Sequence, residues 1–357
     1  MRRLALSFLL VLGLGLCGLA GLMAVSGGPG LALPGQGAPQ ETGAGATQAP
    51  RGPDPAAVEA AWRGWMDRHG VTASAIALGR DGAVIHAAGQ ARAPDLPYPV
   101  ASLSKAITAL CLNEILAETG RGWDTTLGDI ADTLSQVRVT PPPWSHHITL
   151  AQLVTHTSGM APDLTQGDMV SRLHGSLGLH RRIAWQALQR DALRGTPGTH
   201  VYSNTNYAML GTVAEALSGQ DYATACRRRI TAPAGADGAV IEGAMGSMSS
   251  YAGWEISATD YARIALHWFA PDRPWVADPD GLPHHDGYGL GAVTGGRGEG
   301  RSVSHNGRLC SPATEDHNIG ALFLALGDGA VFTANWQGCL PPAAYDDLLR
   351  VIRAAMR

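Results

Sequence analysis

Short β-type runs stand at both ends of the folded part of this chain and helical patterns fill the middle. That order restricts the fold more than any other feature. Near the start, Thr72 to Leu78 and Ala83 to Ala88 flank the turn Gly79-Arg80-Asp81-Gly82, which predicts a hairpin. Near the end, Arg301 to His305, Gly320 to Leu326 and Ala330 to Asn335 read as three more strands, the last two joined at Gly327-Asp328-Gly329. Tyr288 to Val293 reads as one further strand, helices are expected at about Pro55 to Arg68 and Pro342 to Met356, and amphipathic helical patterns dominate from about Ser102 to Leu266. An α+β fold follows, an antiparallel sheet completed by both termini and flanked by helices, with a helical subdomain inserted.

Ahead of this domain, Arg2 and Arg3 precede the uncharged run Leu4 to Val25. It reads as an export signal cleaved near Ser26 or as an uncleaved membrane anchor, since it is long enough to span a bilayer as a helix. Cys17 follows the bulky Leu16, which disfavours lipid attachment. Gly13-x-Gly15-x-x-Gly18 matches a dinucleotide fingerprint, but it lies inside the apolar run with no strand before it. Residues 27–54 read as a Gly/Pro/Ala-rich linker, which leaves 55–357 as the folded domain. The expected location is therefore periplasmic, secreted or anchored to the membrane.

The 26 basic and 30 acidic side chains give a net charge of -4, which argues against a nucleic-acid partner. Lysine occurs once among those 26, at Lys105, so the other 25 are arginine. Lys105 lies three residues after Ser102 in a stretch expected to begin a helix there, which puts the two side chains on one face. A helix N-terminus favours negative charge developing on a seryl oxygen. Burial can strip a proton from an ammonium but not from a guanidinium, so the one lysine marks a place where a proton must be able to leave. A surface lysine that happens to follow a serine is the bland account of this pair alone.

Two further pieces follow in order, Tyr202-Ser203-Asn204 and His305-Asn306-Gly307-Arg308. Ser-x-x-Lys, Tyr-x-Asn and a late His-x-Gly on a strand together resemble the penicillin-recognising serine hydrolases, that is, class C β-lactamases, D,D-peptidases and related esterases. The stretches Ile148 to Gly159 and Tyr207 to Gly211 look like the same family. The resemblance covers about residues 55 to 357. It implies Ser102 as the acylated nucleophile, Lys105 and Tyr202 as the proton relay with the base unassigned between them, and Asn204 as a tether for Lys105 and a substrate contact. It also implies an oxyanion hole from the Ser102 and Arg308 N–H groups, with His305 and Gly307 forming the far wall. Gly307 is expected to leave room for substrate along that strand.

Many relatives place Lys-Thr-Gly on the wall strand, and here His305 and Asn306 stand instead. An imidazole of ordinary pKa would lose its charge near neutrality, so a carboxylate contact through His305 should fade between roughly pH 6 and 8. Arg308 offers a contact that does not titrate there. His285-Asp286-Gly287 competes with the wall motif but reads as a loop. The pairs His146-His147 and His284-His285 lack partners at metal-ligand spacing, so no metal and no cofactor are expected. His156 is expected to brace the helical region. Cys310 and Cys339 end strands separated by one other and point the same way, which predicts a disulfide, while Cys111 and Cys226 carry no catalytic context. The expected reading is an exported, monomeric serine hydrolase acting on a small-molecule or peptide substrate, a peptidoglycan-derived one included. A sensor or binding module that acylates without turnover is the alternative.

Overall fold

The computed structural model describes residues 52–357 apart from 167–174, 176–177, 244, 279–280, 297–299 and 312–317. The apolar run at 4–25 and nearly all of the 27–54 linker lie outside the described residues. Among the described residues no helix is long and apolar enough to cross a membrane.

Seven strands form one antiparallel sheet in the order β2-β1-β7-β6-β5-β4-β3. They are β1 (Ser74–Arg80), β2 (Ala83–Gln90), β3 (Tyr288–Gly289), β4 (Ala292–Gly295), β5 (Ser302–Leu309), β6 (Ile319–Leu326) and β7 (Val331–Gln337). The N-terminal hairpin joins the C-terminal strands through β1 and β7, with Ser74 opposite Trp336 and Leu78 opposite Phe332. Both termini thus complete the sheet.

Helices α1 (Pro55–His69) and α2 (Ser104–Glu118) are followed by α3 (Ala131–Gln136), α4 (Leu150–Val154), α5 (Leu179–Leu188) and α6 (Asn204–Ser218). Then come α7 (Tyr222–Cys226), α8 (Ala258–Trp268), α9 (Pro274–Ala277) and α10 (Pro342–Ala355). Asp54 starts α1 by accepting the Ala56 N–H at 3.0 Å, and Gly70 stops it in the left-handed region at φ 66.

Alternation along the strands divides the core in two. Ile76, Leu78, Leu322, Leu324 and Phe332 pack under α1 and α10 with Trp62, Trp65, Leu348 and Ile352. Their neighbours Ala75, Ala77, Ala321 and Phe323 face α2, α8 and the helical region. A sheet covered on both faces needs apolar residues at successive positions, which is why β6 reads Ile-Gly-Ala-Leu-Phe-Leu-Ala-Leu in sequence. Polar locks fix the layers: Trp62 Nε1 donates to Ser74 Oγ at 3.0 Å, and Ser74 Oγ donates to the Asn335 carbonyl at 2.9 Å.

Three local expectations need correction. Ser102 does not open an α-helix; it sits in a 3-10 turn, Ala101–Leu103, and α2 begins at Ser104. Tyr288 to Val293 is not one strand but the tight hairpin β3–β4, turned by Leu290 at φ 55 and Gly291 at φ 77. The wall strand is longer than its apolar run, because β5 continues past His305 to Leu309. The Cys310–Cys339 disulfide is present, and Cys111–Cys226 forms a second one between α2 and α7.

Candidate active site

Strand β4 pairs with β5 only from Ser302 to Ser304, so the edge of β5 is open from His305 onward. Along it lies a cleft of about 660 Å³ lined by residues that include Ser102, Tyr202, Asn204, His305 and Arg308. The sequence motifs, separated by about a hundred residues each, therefore meet in one place.

Ser102 is presented by a strained turn. Ala101 before it has φ 46, a left-handed conformation that a residue bearing a Cβ adopts at a cost. Gly307 shows what holds that turn: a Cβ there would strike the Val100 carbonyl oxygen and press on the Ala101 Cβ. The reason for glycine is therefore different from the expected one. It lets β5 close on the backbone just ahead of Ser102, whereas room for substrate had been anticipated.

Lys105 lies one turn further on and is wholly buried. Its Nζ donates to Ser102 Oγ at 3.0 Å and to the Tyr251 carbonyl oxygen at 2.8 Å, and it stands 5.0 Å from the centre of the Tyr202 ring. Gly291, at the β3–β4 turn, seats directly on the Lys105 backbone, where a Cβ would clash. Burial drives the Lys105 pKa down to about 7, opposed by the attraction of Asp163. The Tyr202 phenol moves the other way. Burial raises it, and its hydrogen bond with Ser102 lowers it only in part, although 40% of the residue is exposed along the cleft.

Asn204 reaches the cleft from the first turn of α6, and its Nδ2 donates to Thr165 Oγ1 at 2.8 Å. The Tyr251 carbonyl oxygen is a second acceptor for the Lys105 ammonium, beside Ser102 Oγ. Asp163 organises this wall by accepting from the Asn204 N–H at 2.9 Å, the Thr205 hydroxyl at 3.2 Å and Gln166 Nε2 at 3.1 Å. Arg308 is exposed on β5, and among the described residues no carboxylate pairs with it.

His305 is buried, and its Nδ1 donates to the Asn306 carbonyl at 2.7 Å. Burial and the neighbouring Lys105 charge press its pKa down to about 3, so it is neutral throughout the physiological range. The titration expected of an ordinary imidazole therefore does not occur between pH 6 and 8. His285-Asp286-Gly287 lies in a turn, with Asp286 at φ 49 and Gly287 at φ 77, and is not among the cleft-lining residues. No group of three or more His, Cys, Asp or Glu that could hold a metal occurs among the described residues.

Sequence reasoning missed three contributors. The Tyr251 carbonyl carries no side-chain signal. Tyr288 lies in the hairpin misread as a strand. His156, expected only to brace, packs its ring 4.4 Å from that of Tyr202.

The fold agrees with comparison to known proteins. A family model described as Beta-lactamase matches residues 58–338, and the chain belongs to that family. Protein flp of Staphylococcus aureus (strain N315) is 30% identical over 130 residues, covering 36% of this chain and 25% of that protein. Penicillin-binding protein 4 of Amycolatopsis lactamdurans is 29% identical over 188 residues, covering 48% of this chain and 47% of that protein. The matched part thus spans less than half the length of either relative. A β-lactamase/D-alanine carboxypeptidase from Yersinia pestis superposes with a TM-score of 0.67 at 16% identity, over 85% of this chain and 98% of that one. A D-stereospecific amidohydrolase from Streptomyces sp. gives 0.63 at 19% identity, over 84% and 98%. Both structures share the fold.

Proposed function

We propose that the chain is an exported serine hydrolase that works through a Ser102 acyl-enzyme on an amide, ester or β-lactam. The observation that carries this reading is a wholly buried Lys105 amine, 3.0 Å from Ser102 Oγ, with its pKa brought down to about 7. Such an amine is partly unprotonated at neutral pH and can accept the seryl proton as Oγ attacks the carbonyl carbon. Tyr202 is poorly suited to be the first base, because its phenol is pushed upward. It serves instead as the hydroxyl that passes a proton to the leaving group. The N–H groups of Ser102 and Arg308 supply the oxyanion contacts. Export is supported by the two disulfides, which suit an oxidising compartment.

A chromogenic ester and a chromogenic cephalosporin, each with Ser102→Ala as control, test this. Multiple turnovers of at least one substrate are expected from the wild type, and none from the variant. Stoichiometric labelling without turnover would favour a sensor.

The substrate's anionic end, where it has one, falls to Arg308, because His305 is uncharged. The ratio of kcat/KM for matched anionic and neutral substrates should stay flat from pH 5 to 8 and drop about tenfold in Arg308→Ala. A ratio that decays through that window would return the contact to His305.

A further inference from the structure

On the wall of the cleft, Tyr288 of β3 stands between two buried histidines. Its hydroxyl is 3.3 Å from His156 Nε2 and 3.5 Å from His305 Nε2. The outer contacts of those rings decide where the protons sit. His156 Nδ1 receives the Ser203 N–H at 3.2 Å and Asn206 Nδ2 at 3.2 Å, so it must be the bare nitrogen. Asn206 is oriented for this, since its Oδ1 accepts from Ser158 Oγ at 2.7 Å. The His156 proton is therefore on Nε2 and points at the Tyr288 oxygen. At the other end, the Asn306 carbonyl can only accept, so the His305 proton is on Nδ1 and its Nε2 is bare.

The tyrosine hydroxyl then has one direction consistent with both neighbours: it accepts from His156 and donates to His305. Tyr207 is the other acceptor in reach, because it gives its own proton to the Val154 carbonyl at 3.0 Å and shares a hydrogen bond with Tyr288. No step in this chain needs a charge.

We propose that Tyr288 is a positioning residue for the reaction, whose hydroxyl keeps His305 as the Nδ1-protonated imidazole facing Tyr202 across the cleft. This rests on the Ser102 acyl-enzyme reading. The groups facing His305 are Lys105 from α2, Tyr202 from the loop before α6 and Tyr288 from β3, with Tyr207 of α6, His156 and His200 behind them and Arg308 on its own strand. Among the described residues this set holds no carboxylate that would stabilise an imidazolium. Lys105 is its close cation, and a second charge on His305 would oppose it. Burial and the Lys105 charge already hold both rings below the usual histidine range. Tyr288 adds what burial alone does not, a donor aimed at the nitrogen where a proton would land.

Nitrogen-15 NMR of the histidine rings tests this without reference to turnover. In the wild type, His305 should show a protonated Nδ1 and a bare Nε2 that do not change between pH 5 and 8. The opposite tautomer, or titration in that window, would overturn the proposal whatever happens in any variant. In Tyr288→Phe, which keeps the ring and loses only the hydroxyl, burial and Lys105 still keep His305 neutral, but its Nε2 loses its donor and the Nδ1-protonated tautomer should give way to a mixture of the two. The variant's kcat/KM at pH 7 should fall about tenfold with KM within about twofold. A variant with wild-type His305 signals would remove the role. Inactivity of Ser102→Ala is a separate result, so failure of the acyl-enzyme reading is distinguishable from failure of this one.

Discussion

Lys105→Arg lowers kcat/KM for a chromogenic ester by about a thousandfold, the scale of a lost relay group. The effect has two physical sources. A guanidinium cannot release a proton near neutrality, and the pocket that holds the ammonium is closed by the Tyr251 carbonyl, the Tyr202 ring and the Gly291 turn. The second source also means that the variant is expected to be less stable, by about 1 to 3 kcal/mol from overpacking. Lys105→Met is therefore the companion variant, since it fills similar volume without charge and should be equally inactive while melting closer to the wild type. In the wild type, the neutral amine is the working form. Activity should rise with pH through about 7 and level off above it, falling tenfold per pH unit on the acid side. A profile flat from pH 5 to 9, or an active arginine variant, would mean that Lys105 is not the base.

Gly307→Ala is the second large effect. One methyl group placed on β5 meets the Val100 carbonyl, and neither partner is a flexible side-chain end that can swing away. The strand must withdraw or the turn bearing Ser102 must move. Misplacing a nucleophile by about 1 Å costs on the order of a hundredfold, so kcat should fall by about that much, with a smaller loss of thermal stability. The control is Gly300→Ala, where a Cβ would meet nothing, and full activity is expected there. Wild-type turnover in Gly307→Ala would show that the Val100–Gly307 approach does not position Ser102.

Some of this site could be seen in the sequence for definite reasons. Strands β6 and β7 are buried on both faces and so appear as continuous apolar runs, whereas the second half of β5 alternates with the exposed Asn306 and Arg308 and was cut short. Lys105 stood out because arginine fills every other basic position. The turn at Ala101 could not be foreseen. Its left-handed backbone is tied to Gly307, some two hundred residues away, and nothing local signals it. The same holds for Cys111–Cys226, whose partners lie 115 residues apart on two helices that the sequence pattern did not bring together. Tyr288 was hidden because a two-residue strand carries no periodicity.

The seam between β1 and β7 joins residues near position 75 to residues near position 335, so the centre of the sheet is made from the two halves of the chain that are synthesised furthest apart. Until the last strand arrives, β1 has only β2 beside it, and a lone hairpin is barely stable in water. The catalytic face cannot close earlier, because β5, β6 and β7 come after all of the helical region. Such distant pairing predicts slow, late folding. A hydrolase assembled this way has no working active site until its C-terminal strands are in place.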